Sequence, residues 1–172
     1  VYGMATYQKG KMEVVGGIRA EHTNQGYVLK YPRSTQGEGN QKYWDCLPDL
    51  HLKYHLTEKM NLHLSYARAI NRPSFFEIVP YSIINEEYKE KGNPDLKHTV
   101  ADNLDLRWEF FPQAAEQLMV GFFYKHLQNP IEYGLISEGQ DLYYTPLNLG
   151  TANNTGIELD ALKYFHSFGI KF

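Results

Sequence analysis

A single cysteine, Cys46, leaves this chain no intramolecular disulfide and says nothing about redox compartment. No apolar run approaches the roughly 20 residues of a membrane helix; the longest, Leu118 to Tyr124, is strand-sized. Charge of one sign is missing as well. A net charge of −3 and a pI near 6.2 give no reason to expect nucleic acid, and no basic run suggests an anionic surface. Helical periodicity is nearly absent, with "SIINEEYKEK" the best helical candidate. No glycine-rich phosphate loop, Ser/His/Asp set or cysteine cluster is visible, so neither catalysis nor a cofactor is expected. The N-terminus, "VYGMATYQKG", has neither the basic nor the apolar region of a signal peptide. Either a cytoplasmic protein or a piece of a longer chain is expected from that.

What the 172 residues do contain is aromatic side chains, 15% of the total, and alternation. Eight segments read as strands by their period of two: roughly 2–7, 12–24, 44–56, 62–71, 99–110, 117–127, 153–164 and a stub over 169–172. Within "GNPDLKHTVADNLDLRWEFFP", Leu104, Leu106, Trp108 and Phe110 fall on one side and Asn103, Asp105, Arg107 and Glu109 on the other. Leu50 and Leu52 oppose His51, Lys53 and His55; Leu62 and Leu64 oppose His63; Val120 and Phe122 oppose Gly121 and Lys125; Ile157 and Leu159 oppose Glu158 and Asp160.

The links between these strands alternate strictly. "QKGK", "TEKMN", "PQAAEQ" and "FHS" are short, whereas 25–43, 72–98 and 128–152 are long and irregular. In an up-and-down sheet this sorts every long loop to one end. A soluble sandwich has no reason for such sorting, while an outer-membrane β-barrel has short periplasmic turns and long external loops. Alternation alone leaves both open. The loop sorting, and aromatics near strand ends (Trp44, Tyr54, Tyr66, Trp108, Phe110, Tyr124, Tyr164), favour the barrel. Eight strands with four short turns place both termini on the long-loop side, so an internal slice of a larger barrel is expected.

Six stretches carry a family resemblance. They are "LSYARAINRPSFFEIVPY", "GNPDLKHTVADNLDLRWEFFP", "VGFFYKHLQNPIE", "LGTANNTGIELDALKYF", "VVGGIRAEHT" and "LPDLHLKYHLTEKMNLHLSY". Taken in chain order, with the last two upstream of the first four, they make the chain resemble the barrel portion of a TonB-dependent outer-membrane receptor over about its whole length. The resemblance implies an all-β fold: about eight consecutive antiparallel strands of a 22-stranded-type barrel in the bacterial outer membrane. Residues 1–172 would be partial barrel, with no plug domain, TonB box or signal peptide in this chain. It implies active uptake of a siderophore, cobalamin, glycan or peptide. The implied partners are the lipid bilayer, the plug and TonB system through the full-length protein, the substrate, and a surface lipoprotein. The alternatives are a soluble or secreted β-sandwich that binds ligand through aromatic loops, and a small self-contained outer-membrane barrel.

Expected roles follow from the two sides. Leu50, Leu52, Leu62, Leu64, Leu104, Leu106, Trp108, Val120 and Phe122 would face lipid. Arg19, Glu21, His51, Lys53, Asp105, Arg107, Glu109, Lys125, Glu158 and Asp160 would face the lumen and plug, pairing with one another, with a substrate-path role as the alternative. Tyr43, Phe75, Phe76, Tyr81, Tyr143 and Tyr144 are candidate ligand contacts on external loops, against plain girdle or loop packing. His51 and His55 lie about 13 Å apart along a strand at ~3.3 Å per residue, too far to chelate together. A hairpin centred on Lys59 would set His55 opposite His63, a weak candidate metal pair. Gly92-Asn93-Pro94 reads as a turn re-entering the sheet.

Overall fold

The computed structural model describes residues 1–30, 37–165 and 170–171. Strands β1 (Tyr2–Lys9), β2 (Met12–Val28), β3 (Glu38–Thr57) and β4 (Met60–Asn71) follow one another. The helical turn α1 (Phe75–Ile78) and short strands β5 (Ser82–Ile84) and β6 (Lys89–Lys91) come next. Then follow β7 (Thr99–Phe110), β8 (Gln117–Gln128), β9 (Ile131–Glu138), β10 (Asp141–Asn148), β11 (Thr151–Leu162), β12 (Tyr164–Phe165) and β13 (Ile170–Lys171).

Seven of these form one antiparallel sheet in the order β1-β2-β3-β4-β7-β8-β11. Long strands appear here because apolar and polar residues alternate with a period of two, which an extended backbone sorts onto opposite faces. The connections alternate as the sequence predicts. Gly10-Lys11 joins β1 to β2, with Gly10 at φ 58° in the left-handed region that such tight hairpins need. Glu58-Lys59 joins β3 to β4, and residues 111–116 join β7 to β8. Among the described residues β1 pairs only with β2, and β11 only with β8, so the sheet is open at both ends. Such bare edges and an uncovered apolar face make the piece by itself prone to aggregation.

The chain builds almost no conventional core. Among the described residues the buried apolar side chains are Leu47, Ile78 and Leu96, with Pro73 and Pro146. No second layer covers Leu104 or Leu106, which are 40% and 42% exposed. A sandwich would bury that face.

Three expectations need correction. The helical candidate "SIINEEYKEK" is strand at both ends (β5 and β6), paired with each other. The helical turn lies just upstream, where Ser74 accepts from the Glu77 amide and the Glu77 carboxylate accepts from the Ser74 amide, a capping box. Segments 72–98 and 128–152 are not irregular, since β5, β6, β10 and β9 form a second sheet in that order, with β6 and β10 parallel. The first long loop is also shorter than expected, because β2 and β3 stay paired as far as Val28 and Glu38. The terminal stub appears as β13, paired antiparallel with β12; Gly169, Phe172 and most of the expected short link "FHS" lie outside the described residues. The β3–β4 ladder stops at Asp49, beside Pro48, which has no amide hydrogen to donate. Above that point other contacts hold the wall.

Candidate functional site: a two-faced wall and its external sheet

The register aligns side chains into continuous rows. Tyr7, Val14, Leu52, Leu64, Leu106, Phe122 and Ile157 stand side by side across all seven strands. The row below holds Met12, Tyr54, Leu62, Trp108, Val120 and Leu159; the row above, Gly16, Leu50, Tyr66, Leu104 and Tyr124. All nine residues expected on the lipid side therefore share one face. A water-exposed band of this size would be prohibitively apolar.

This band has an upper limit that the sequence reading missed. Arg68, Asp102, His126 and Asn153 form a polar row on the same face. Arg68 donates twice to Asp102, at 2.8 and 3.0 Å. From the row beneath, the Tyr66 hydroxyl donates to Asp102 at 2.6 Å and the Tyr124 hydroxyl to Asn153 at 2.9 Å. Tyrosines with their rings in an apolar band and hydroxyls in a polar row are what a membrane interface selects. Met60 to Arg68 spans nine residues, about the length a tilted strand needs to cross the hydrocarbon.

The opposite face carries the charges. Arg19 pairs with Glu21 at 2.8 Å and His51 with Asp49 at 3.2 Å, while Gln117 donates to Asp160 at 3.1 Å. Near the short turns, His55 meets Glu13 at 3.1 Å and Asn61 at 2.8 Å, and Asn61 donates to Glu109 at 3.3 Å. His63 Nε2 lies 3.0 Å from Glu109 but off the hydrogen-bond line. Lys53, Asp105, Arg107, Lys125 and Glu158 close no ion pair among the described residues. The register pairs His55 with Asn61 and His63 with Lys53, so the expected His55–His63 facing pair does not form. Each histidine instead faces a carboxylate. On the same face the Phe123 ring lies over Gly156, where a Cβ would come within 2.5 Å of the ring, so "FFYK" and "NNTGIEL" meet as a packing pair.

The external segments are tied to this charged face. Arg72 donates to Thr23 at 2.9 Å and to Glu21, and Gln25 donates to the Pro73 carbonyl at 2.9 Å. Gln41 donates to the carbonyls of Pro94 and Leu96 at 2.9 and 2.8 Å. His98 meets Asp45 at 2.9 Å and stacks on Tyr43, ring centroids 4.0 Å apart. Tyr43 is half-buried and packs against His98.

Gly92-Asn93-Pro94 leads into the expected turn, with the Leu96 amide donating to the Asn93 carbonyl at 3.4 Å, and is also a knot. A Cβ on Gly92 would stand 2.0 Å from the Val79 carbonyl oxygen, so glycine is required by close approach, without a positive φ. The Asn93 amide donates to Glu77 at 2.6 Å, its side chain donates to Pro146 at 3.0 Å, and its Oδ1 accepts from Asp95 at 3.0 Å. One asparagine joins both loops. Replacing Asn93 by alanine should cost about 1–3 kcal/mol locally. Faster proteolytic nicking of residues 72–98 and 128–152, with the barrel still inserted, is the measurement to make.

The second sheet has two unlike faces. On one, Tyr143 lies under Lys91 and Lys89, 4.3 and 5.8 Å from its ring centre. Lys91 pairs with Glu138 and Lys89 with Asp141. The hydrogen bond between Lys89 and Asp141 raises the ammonium pKa and lowers the carboxyl's. A cavity of about 470 Å³ opens beside them, lined in part by Asn93, Thr145 and Leu147. On the other face Tyr144 stacks on Tyr133, centroids 5.1 Å apart. There Phe75, Phe76, Val79, Tyr81, Ile83, Glu90 and Tyr133 line an apolar cavity of about 530 Å³. Phe75 and Phe76 are 62% and 78% exposed. Glu90 and Tyr133 were not among the expected contacts; the strand period through Lys89-Glu90-Lys91 could have separated Glu90 from its basic neighbours.

Tyr81 donates to Glu90 at 2.8 Å, and burial first, then Glu90, push its pKa up to about 12. Its folded value exceeds the unfolded one near 10. The associated stability is therefore fully present below pH 10 and lost as pH climbs toward 12. Phenolate absorbance of the full-length protein should show a late-titrating tyrosine that Tyr81→Phe removes.

Comparison with known proteins agrees with this geometry. The outer membrane protein beta-barrel family matches residues 1–167. No curated protein matches the sequence. Among solved structures, the hemophore receptor HasR of Serratia marcescens, in complex with its hemophore HasA and heme, is 14% identical with a TM-score of 0.73, covering 94% of this chain and 31% of that one. The siderophore receptor PirA of Pseudomonas aeruginosa is 17% identical with a TM-score of 0.73, covering 96% and 31%. A mutant ferric enterobactin receptor, PfeA, of the same species is 19% identical with a TM-score of 0.67, covering 94% and 24%. The chain thus spans between a quarter and a third of the length of these receptors. With its apolar band, charged reverse face and external sheet, it belongs to the outer membrane protein β-barrel family and is a piece of bacterial outer-membrane barrel built like the wall of TonB-dependent receptors.

Proposed function

We propose that the chain is wall and external rim of a TonB-dependent receptor that takes up a nutrient actively. The observation that carries this reading is the unbroken row from Tyr7 to Ile157, with its polar limit at Arg68 and Asp102. Lys53, Asp105, Arg107, Lys125 and Glu158, without ion partners among the described residues, would meet a plug domain in the full-length protein. The described neighbours take different cargoes, so cargo is set by the external segments rather than by the wall. In this reading the chain performs no catalysis.

The test is genetic. Cells lacking the full-length gene, grown on limiting iron chelate, cobalamin, glycan or peptide, should lose growth on one of the four. Complementation should fail when the TonB system is disabled. Unchanged growth on all four would count against the reading.

A further inference from the structure

The external sheet differs in charge from what an anionic cargo would require. Segments 72–98 and 128–152 carry four Lys and Arg against eight Asp and Glu, a net charge of −4. Both lysines beside Tyr143 are neutralised, by Asp141 and Glu138. On the opposite face the balance is uncompensated. Among the described residues the Glu90 carboxylate accepts only the Tyr81 hydroxyl, and the Glu77 carboxylate accepts only the Ser74 backbone amide. Neither carboxylate pairs with a cation among the described residues. Both act on the tyrosines that line the cavity: Tyr133 is pushed up first by burial, then by Glu77 and Glu90.

We infer that the cavity between Phe75, Phe76, Tyr81, Glu90 and Tyr133 is a binding site for an alkylammonium group. Aromatic ring faces attract a cation and tolerate its alkyl substituents. Glu90, fixed by Tyr81 at 2.8 Å, supplies the counter-charge that the fold leaves unused. A volume of about 530 Å³ admits a substituted ammonium with part of the molecule that carries it. The open side, at Phe76, is where such a ligand would enter. This inference deepens the reading of the external sheet as the cargo-contacting part, and rests on it.

The experiment uses the full-length receptor in detergent, with choline as probe and 3,3-dimethyl-1-butanol as its uncharged isostere, read by saturation-transfer NMR and calorimetry. Choline should bind at least about tenfold tighter than the alcohol, the scale of one desolvated cation–aromatic contact. Glu90→Gln, which keeps an acceptor for Tyr81, should remove that preference while leaving the alcohol unchanged. Phe76→Ala, at an exposed ring, should weaken choline several-fold without touching the fold. Equal binding of choline and the alcohol, or a preference that survives both substitutions, would overturn the site. Membrane insertion of the receptor is scored separately, so a failed cation site with an inserted barrel leaves the receptor reading standing.

Discussion

Arginine in place of Leu106 should destabilise the inserted barrel by about 2–4 kcal/mol, the cost of a cation at the bilayer midplane on a barrel's lipid face. Leu106 sits halfway between the Phe110 row and the Asp102 row, at the centre of the apolar band. One residue earlier, Asp105→Arg puts the same group on the charged face, beside Ser65 and Phe123, and should cost well under about 1 kcal/mol. Denaturant unfolding of the full-length protein in vesicles reads both. The contrast between neighbours is the informative quantity, since general intolerance of arginine would penalise both alike. Similar losses at the two positions would mean that the two faces meet similar surroundings.

Alanine at Gly92 should be the most damaging small substitution in the external segments. The added Cβ would meet the Val79 carbonyl oxygen at 2.0 Å and the Phe76 oxygen at 3.0 Å. Both are backbone atoms, so no side chain can swing aside. Gly92 is itself buried between α1 and the turn at Asn93, which is bonded to Glu77 and Pro146. Relieving the overlap must separate these partners and expose Leu96 and Ile78, now 1% and 2% accessible. Overpacking of this kind costs about 1–3 kcal/mol or more. Hydrogen exchange should show protection lost through β5, β6, β9 and β10 while the seven-stranded wall keeps its own. Unchanged exchange in the external sheet would refute the role given to the knot.

How much of this could be read from residues alone follows from where each residue's surroundings differ. In the seven-stranded sheet one face is apolar and the other charged, so Asn103 to Phe110 alternates without a fault and its strand is legible. Beyond the polar row at Arg68 and Asp102 that contrast fades. Residues 25–28 and 38–43 continue β2 and β3 but show no apolar side, which is why they passed for loop. The second sheet depends on Lys89 meeting Tyr143 and Glu90 meeting Tyr144 across more than fifty positions, pairings that no local pattern announces. Ser74-Phe75-Phe76-Glu77 carried a readable capping signal, yet it lay outside the stretch with helical spacing. The turn at Gly92-Asn93-Pro94 is legible and present, but the crowding of Gly92 by Val79 exists only in three dimensions. The Arg68–Asp102 pair was missed for a related reason. Two charges on an otherwise apolar face look like a fault in the pattern until Tyr66 is seen to donate to one of them.

The central claim is that two environments alternate along these strands, and β7 offers its most direct test. In the full-length protein with Cys46→Ser, single cysteines placed in turn from Asn103 to Phe110 would carry a nitroxide spin label in outer-membrane vesicles. Collision with oxygen, which concentrates in lipid, should peak at Leu104, Leu106, Trp108 and Phe110. Collision with a water-soluble nickel chelate should peak out of phase, at Asn103, Asp105, Arg107 and Glu109. Accessibilities that rise and fall together, or show no period of two, would contradict the account.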